Sequence, residues 1–240
     1  MLVILHLRKL FFGLVLVTAF TKTEIHTIRE LSEVLAVVGD QGEDSLFIFD
    51  IDNTLWRGEK LEATDEWFRA KWTALAQQGL SVDEIKAIIL PLYDAAQEQT
   101  SVKLVDDCLY KVLDCLKHKN MQFLLATTRG RARTVAATKR QLADLALSFV
   151  QTKPGFDKEY TFPETGSCAC YTDGILFADG VNKGIMLQLF FDRVGHVPTR
   201  IFFVDDSLKN VKDVELFAQQ RDIAFDGFYF TRVADELVKQ

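Results

Sequence analysis

Leu46-Phe47-Ile48-Phe49 is an unbroken apolar run that stops on Asp50. An apolar run without alternation fits a strand covered on both faces, as in parallel sheets flanked by helices. Arg200 to Val204 repeats the design and stops on Asp205, and Gln122 to Ala126 stops on Thr127. Segments of helical periodicity separate these runs. Strands alternating with helices specify an α/β fold with a doubly wound parallel sheet. Ligands of such sheets bind beyond the carboxyl ends of the strands. Asp50, Thr127 and Asp205 are therefore expected at one crevice.

The remaining pattern sets the domain organisation. Ile25, Ile28, Leu31, Val34, Leu35 and Val38 recur at helical spacing and predict a helix over 24–38. Thr64 to Gln77 predicts a second helix, closed by Gly79. Ser81-Val82-Asp83-Glu84 has the form of a capping box and opens a third, kinked at Pro91. Val102 to His118 predicts a fourth. Further helices are expected over 131–147, 184–194 and 208–221, and strands over 147–150 and 225–230. A hairpin is expected over 171–179, and a loop over 151–170. No Pro- or Gly-rich linker divides the chain. This gives one domain, 24–240, with a core of 24–58 and 119–240. The all-helical stretch 59–118 interrupts the β/α pattern and is expected to be a cap inserted after the first strand.

The chain opens differently. Arg8 and Lys9 precede an apolar run from Leu10 to Phe20, and Val17-Thr18-Ala19 offers a cleavage site. That layout predicts a signal peptide over 1–19. The run is shorter than the ~20 residues of a transmembrane helix, so no stable membrane span is expected after processing. The protein is expected to be exported, periplasmic or secreted, if the signal is cleaved, and cytoplasmic otherwise. A formal net charge of −6 argues against nucleic-acid binding, which calls for a basic stripe. Cys108 and Cys115 lie seven residues apart in a helical segment, ~10 Å along the axis, too far to bridge each other. Cys168-Ala169-Cys170 lacks the additional ligands of a metal site.

The polar residues at the strand ends carry the chemistry. Asp50 and Asp52 flank Ile51, and Asp205 and Asp206 end another buried run. Carboxylates converging on one crevice cannot all stay ionised without compensation. A divalent cation supplies it, and oxygen-only ligands suit Mg²⁺. Lys183 adds a positive charge just before a predicted helix. Thr127 adds a hydroxyl at a chain turn, where backbone N–H groups also meet anions. A metal, a lysine and a hydroxyl around carboxylates is equipment for phosphoryl transfer.

Four segments then resemble the motifs of the haloacid dehalogenase superfamily, in order. They are Phe47-Ile48-Phe49-Asp50-Ile51-Asp52-Asn53-Thr54-Leu55, Leu124-Leu125-Ala126-Thr127-Thr128-Arg129-Gly130, Asn182-Lys183-Gly184 and Phe202-Phe203-Val204-Asp205-Asp206-Ser207. Thr64-Asp65-Glu66-Trp67-Phe68, Thr138-Lys139-Arg140-Gln141-Leu142 and Asp173-Gly174-Ile175-Leu176-Phe177 are similar to an uncharacterised subfamily of bacteria that live inside host cells. Class B acid phosphatases are a related possibility. The resemblance implies a phosphatase that forms an aspartyl-phosphate on Asp50, with Asp52 as acid and then base. It implies Mg²⁺ held by Asp50, the backbone carbonyl of Asp52 and Asp205, with Asp206 binding through water or orienting Lys183. Thr127 and Lys183 would grip the substrate phosphate, with Thr128 an alternative to Thr127. The dehalogenases of the superfamily lack the second aspartate, and its P-type pumps carry threonine there. Asp52 thus points to hydrolysis of a small-molecule or protein phosphomonoester, or to phosphotransfer. A non-catalytic binding protein on the same scaffold is the third alternative. Arg57 and Arg129 are expected either to reach a phosphate or a substrate carboxylate, or to form exposed ion pairs.

Overall fold

The computed structural model describes residues 22–130 and 132–239. The predicted signal segment 1–19 lies outside them. Eight strands form one sheet in the order β1 (Thr23–Ile28), β10 (Ala224–Phe230), β9 (Arg200–Asp205), β2 (Ser45–Phe49), β5 (Gln122–Thr127), β8 (Ile175–Phe177), β7 (Cys170–Thr172), β6 (Tyr160–Thr161). The first six run parallel, and β7 and β6 fold back antiparallel. Helices α1 (Val34–Val38), α4 (Leu109–His118), α5 (Ala132–Asp144), α6 (Lys183–Val194) and α7 (Leu208–Gln220) alternate with the strands. β10 is followed by α8 (Arg232–Leu237).

The unbroken apolar runs are explained by two cores, one on each face. Side chains alternate across a strand. Phe47 and Phe49 of β2, Phe123 and Leu125 of β5, and Phe202 and Val204 of β9 join one cluster, with Val34 and Val38 of α1 and Leu109, Val112 and Leu116 of α4. Leu46, Ile48, Leu124, Ala126, Ile201 and Phe203 join the other, under Met186 and Phe190 of α6 and Val214 and Phe217 of α7. Each large side chain buried this way contributes ~1.5–3 kcal/mol. α6 and α7 approach closely: a Cβ on Gly184 would stand 2.4 Å from the Asp213 carbonyl oxygen, so only glycine fits after Lys183.

Between β2 and β5 the chain forms a hairpin of β3 (Trp56–Gly58) and β4 (Val102–Leu104), with α2 (Asp65–Gln77) and α3 (Val82–Gln99) inserted between its strands. Thr64 caps α2, and Ser81 with Glu84 forms the capping box of α3. Pro91 sits on the exposed face of α3, where water can serve the carbonyl that lacks its partner. Leu75, Ile85 and Ile89 form a small separate cluster with Trp67, Phe68 and Trp72 packed on it.

Three expected elements differ. The stretch 24–38 is not one helix but β1, a 3₁₀ turn over Leu31–Glu33, and α1. Ile25 and Ile28 are three apart, which mimics a helix face. On a strand an odd spacing puts them on opposite sides. Both sides of this sheet are covered: Ile28 lies in one core and Ile25 packs on the other. The segment 102–118 splits into β4 and α4, because Val102 to Leu104 pair with Trp56 to Gly58. The segment 147–150 is no strand, since β8 occupies the free side of β5 through the register Leu125↔Ile175 to Thr127↔Phe177. The loop 151–170 is largely as expected, carrying the two residues of β6, a 3₁₀ turn at Pro163–Thr165 and, at its end, Cys170 as the first residue of β7.

Candidate active site

The register brings the motif residues together. Phe49 lies opposite Val204 on one side and Leu125 on the other. Asp50 therefore sits level with Asp205, and its N–H donates to the Val204 carbonyl at 2.9 Å. Thr127 ends β5, the other neighbour of β2.

Lys183 is the first residue of α6, where the Asn182 side chain caps the helix by accepting from the Ile185 N–H. Its ammonium is buried and donates to Asp50 Oδ1 at 2.5 Å and to Asp205 Oδ2 at 2.6 Å. Asp205 is pinned further: Oδ1 accepts from the Ser207 N–H at 2.8 Å, and Asn210 Nδ2 lies 3.1 Å from both oxygens. Asp50 Oδ2, by contrast, is buried with no hydrogen-bond partner among the described residues. Asp206 stands beside them, its N–H donating to Thr54 Oγ1 at 3.0 Å. That bond ties the loop after β2 to the loop after β9. Asn53 takes the left-handed backbone conformation, φ 61°, which asparagine tolerates better than most residues. Its amide donates to Glu66 at 3.0 Å and faces Asp206 at 3.4 Å.

The electrostatics of this cluster are unbalanced. Ligand oxygens of Asp50, Asp205 and Asp206 lie within 4.8 Å of one another. Among the described residues the Lys183 ammonium serves Asp50 and Asp205, and Arg69, already paired with Asp65, reaches Asp206 only at 3.9 Å, which leaves a surplus of negative charge. Burial raises the Asp50 pKa well above the usual carboxylate range; Lys183 opposes this, and Asp205 and Asp206 add to it. Asp206 is pushed up to about 7 by burial and by Asp205 and Asp65. Burial works to lower the Lys183 pKa, but Asp205 and Asp50 outweigh it and the net direction is up. The clustered carboxylates of Asp50, Asp205 and Asp206, with their surplus of negative charge, fit an oxygen-liganded divalent cation. A second acidic group, Glu24, His26 and Asp226, lies on the sheet edge. There Asp226 already pairs with the Arg200 guanidinium, which supplies its positive charge.

Asp52 lies just beyond Asp50 and is held differently. Both of its oxygens accept from Arg129, Oδ1 from Nη2 at 2.7 Å and Oδ2 from Nε at 2.8 Å. Arg129 is neither exposed nor aimed at the Asp50 cluster: its side chain is 2% accessible. Arg57 instead pairs with Glu66 at 3.1 Å and is partly exposed. Thr127 is buried and its hydroxyl accepts from the Arg129 N–H at 3.1 Å, whereas Thr128 is exposed. The helical insertion reaches the site at α2. Asp65, pushed up to about 6 by burial and by Asp52, pairs with Arg69, and Arg69 approaches Asp206 at 3.9 Å. Among the described residues no helix is long and apolar enough to cross a membrane, and all four cysteines are free.

The family model described as "Protein of unknown function (DUF2608)" matches residues 27–239. The chain belongs to this family. All the motif residues fall inside the matched span. Two chlamydial relatives named "Putative outer membrane protein" are similar to it. The one from Chlamydia trachomatis is 24% identical and the one from Chlamydia muridarum 26%, each over 86% of this chain and 77% of the relative. Among solved structures, a hydrolase of the haloacid dehalogenase-like family from Streptococcus pneumoniae is similar at 12% identity and TM-score 0.45, over 81% of this chain and 98% of that one.

Proposed function

We propose that this chain is a magnesium-dependent phosphomonoester hydrolase working through an aspartyl-phosphate on Asp50. One observation carries the proposal. Asp50 presents an unpartnered oxygen, Oδ2, while its other oxygen is fixed by a lysine that also grips Asp205. A carboxylate oriented by one oxygen and free at the other is poised as a nucleophile.

In the first step Asp50 Oδ2 bonds to phosphorus and the ester P–O bond breaks. The leaving oxygen takes a proton from the Asp52 carboxyl. In the second step a water oxygen bonds to phosphorus, Asp52 takes the water proton, and the Oδ2–P bond breaks to release inorganic phosphate. Lys183 and Thr127 hold the phosphoryl oxygens. Mg²⁺, held by Asp50, Asp205, Asp206 and the Asp52 carbonyl, would neutralise the charge that gathers on the phosphoryl group. Within the expected cap 59–118, α2 and α3 serve as the cap, while α4 packs into the core beneath the sheet. The substrate is a small-molecule or protein phosphomonoester. Transfer of the phosphoryl group to an acceptor other than water is the second reading, supported by the same residues.

The test separates the two aspartates. Asp50→Asn loses the nucleophile, so no phosphoenzyme and no turnover are expected. Asp52→Asn loses proton transfer, ~10²–10⁴ in rate. With an aryl phosphate, whose leaving group needs little protonation, the second step suffers more, so labelled phosphoenzyme should accumulate. Wild-type turnover in Asp50→Asn, or label on a serine, threonine or histidine, would sink the proposal.

Export is the reading for localisation, supported by the N-terminal layout and by the names of the chlamydial relatives. The native protein should have the mass of a chain starting at Phe20 and appear in the periplasmic or secreted fraction. A full-length chain found only in cytosol defeats this.

A further inference from the structure

We infer that Arg129 is a positioning residue for Asp52, and that helix α3 of the insertion is built into its support through Gln97. The inference rests on the hydrolase reading above and adds a residue to it.

The Arg129 guanidinium has five N–H donors in a rigid plane. Nε and Nη2 clamp the two Asp52 oxygens as a fork. The rest of the plane is occupied as well. Nη1 donates to Thr138 Oγ1 at 2.8 Å and to Gln141 Oε1 at 2.7 Å, both on α5. Nη2 also donates to Gln97 Oε1 at 3.1 Å, on α3. Thr138, Gln141 and Gln97 are each fully buried. They are fixed in turn: the Thr138 hydroxyl donates to the Thr134 carbonyl at 2.7 Å, and Gln141 Nε2 donates to Gln97 Oε1 at 3.0 Å. Gln97 Nε2 donates to the Ala63 carbonyl at 2.9 Å, just ahead of α2. The Trp56 ring lies beneath the guanidinium, 5.8 Å from centroid to Cζ.

A buried, fully bonded network of this kind is costly to assemble unless complete, and rigid once complete. Thr138 and Gln141 bond Nη1 and do not touch Asp52, so they orient the fork. The fork then leaves each Asp52 oxygen one further acceptor direction, fixed in space. An acid–base group must meet its proton at about hydrogen-bond distance, and misplacing reacting groups by ~1 Å can cost ~10²-fold. Arg129 supplies that placement without touching substrate. Gln97 makes the placement depend on α3 being docked.

The experiment follows decay of the labelled phosphoenzyme formed from an aryl phosphate with Mg²⁺. Arg129→Gln should slow decay ~10–10²-fold while the first-step burst stays within a few-fold. Arg129→Lys keeps the charge but loses the fork, and should not restore the decay rate. In an Asp52→Asn background, Arg129→Gln should have no further effect on decay, because the residue acts through Asp52. A merely structural role would slow both steps and would add to Asp52→Asn. Additive losses, rescue by lysine, or an unchanged decay in Arg129→Gln would overturn the assignment. Gln97→Met serves as a milder variant if the arginine variants do not fold; it should slow decay a few-fold and spare the burst, and equal slowing of both steps refutes the coupling to α3. Absence of label on Asp50 in the wild-type chain would be a different failure, that of the hydrolase reading itself.

Discussion

Lys183→Met removes the one ammonium that, among the described residues, bonds to the acidic cluster, and leaves a side chain of similar length. The loss follows from the geometry. Contacts of 2.5 and 2.6 Å to Asp50 and Asp205 correspond to ~6 kcal/mol of attraction each at an effective dielectric of ~20. Desolvating the lysine cancels several kcal/mol of this. Removing one partner of a buried pair typically costs ~3–5 kcal/mol, because the other charge is left unpaired. For a domain of this size that corresponds to a fall in Tm of roughly 6–20 °C. The assay is thermal or urea unfolding in excess chelator, so that no cation substitutes for the lysine. Lys183→Met combined with Asp205→Asn should recover part of the loss, since it also removes a carboxylate. A loss below ~1 kcal/mol in chelator, or a double variant less stable than the single one, would refute the balance of charges described here.

Two further outcomes are expected. Asp206, pushed up to about 7, titrates near ~3.9 when unfolded. The folded value is the higher one, so the native state binds the extra proton and the metal-free protein loses stability as pH rises from ~4 to ~7, by at most ~4 kcal/mol. Melting curves of wild type against Asp206→Asn should show this slope, and excess Mg²⁺ should flatten it; equal slopes in the two proteins, or a slope indifferent to Mg²⁺, would count against a cation site here. Thr54→Val leaves the Asp206 N–H without its 3.0 Å acceptor in a buried place and should cost ~1–3 kcal/mol, with an unfolding difference under ~0.5 kcal/mol as the contrary result.

Much of the fold was legible because both faces of the sheet are covered. Phe47 and Phe49 feed one core, and Leu46 and Ile48 the other. Two-sided burial writes itself as an unbroken apolar run, and the polar residue that ends the run marks the crevice. The same two-sided burial hid β1. Thr23, Ile25, Thr27 and Ile28 are β-branched and favour a strand, but Ile25 and Ile28 also carry helical spacing. What decides between the two is β10, more than 190 residues away, which pairs with all six residues of β1. No local pattern reports a partner that distant. The segment 147–150 failed for the converse reason: it has strand-like residues but no free edge.

The candidate site divides along the same line. Asp50, Lys183 and Asp205 stand at strand and helix ends, positions that hydrophobic patterning marks directly. Their meeting at one ammonium follows from the order β9-β2-β5 and the start of α6. Arg129 follows Thr127 in the second motif, yet the sequence offered only a contact to a phosphate or a substrate carboxylate, or an exposed ion pair, for it. Its actual partners come from α3 and α5 as well as the loop after β2. Gln97, Thr138 and Gln141 are polar residues on helices, and a polar helical residue is ordinarily read as facing water. Here each is buried because a guanidinium needs acceptors around its whole rim once it is taken out of water. A charged residue at a turn thus implies a set of buried polar residues elsewhere, but only the tertiary packing of α3 against α5 says which ones. Asp52 shows the consequence: its type and spacing were readable from the chain, while the orientation of its carboxylate is held by Arg129, itself bonded to residues up to 89 positions from Asp52.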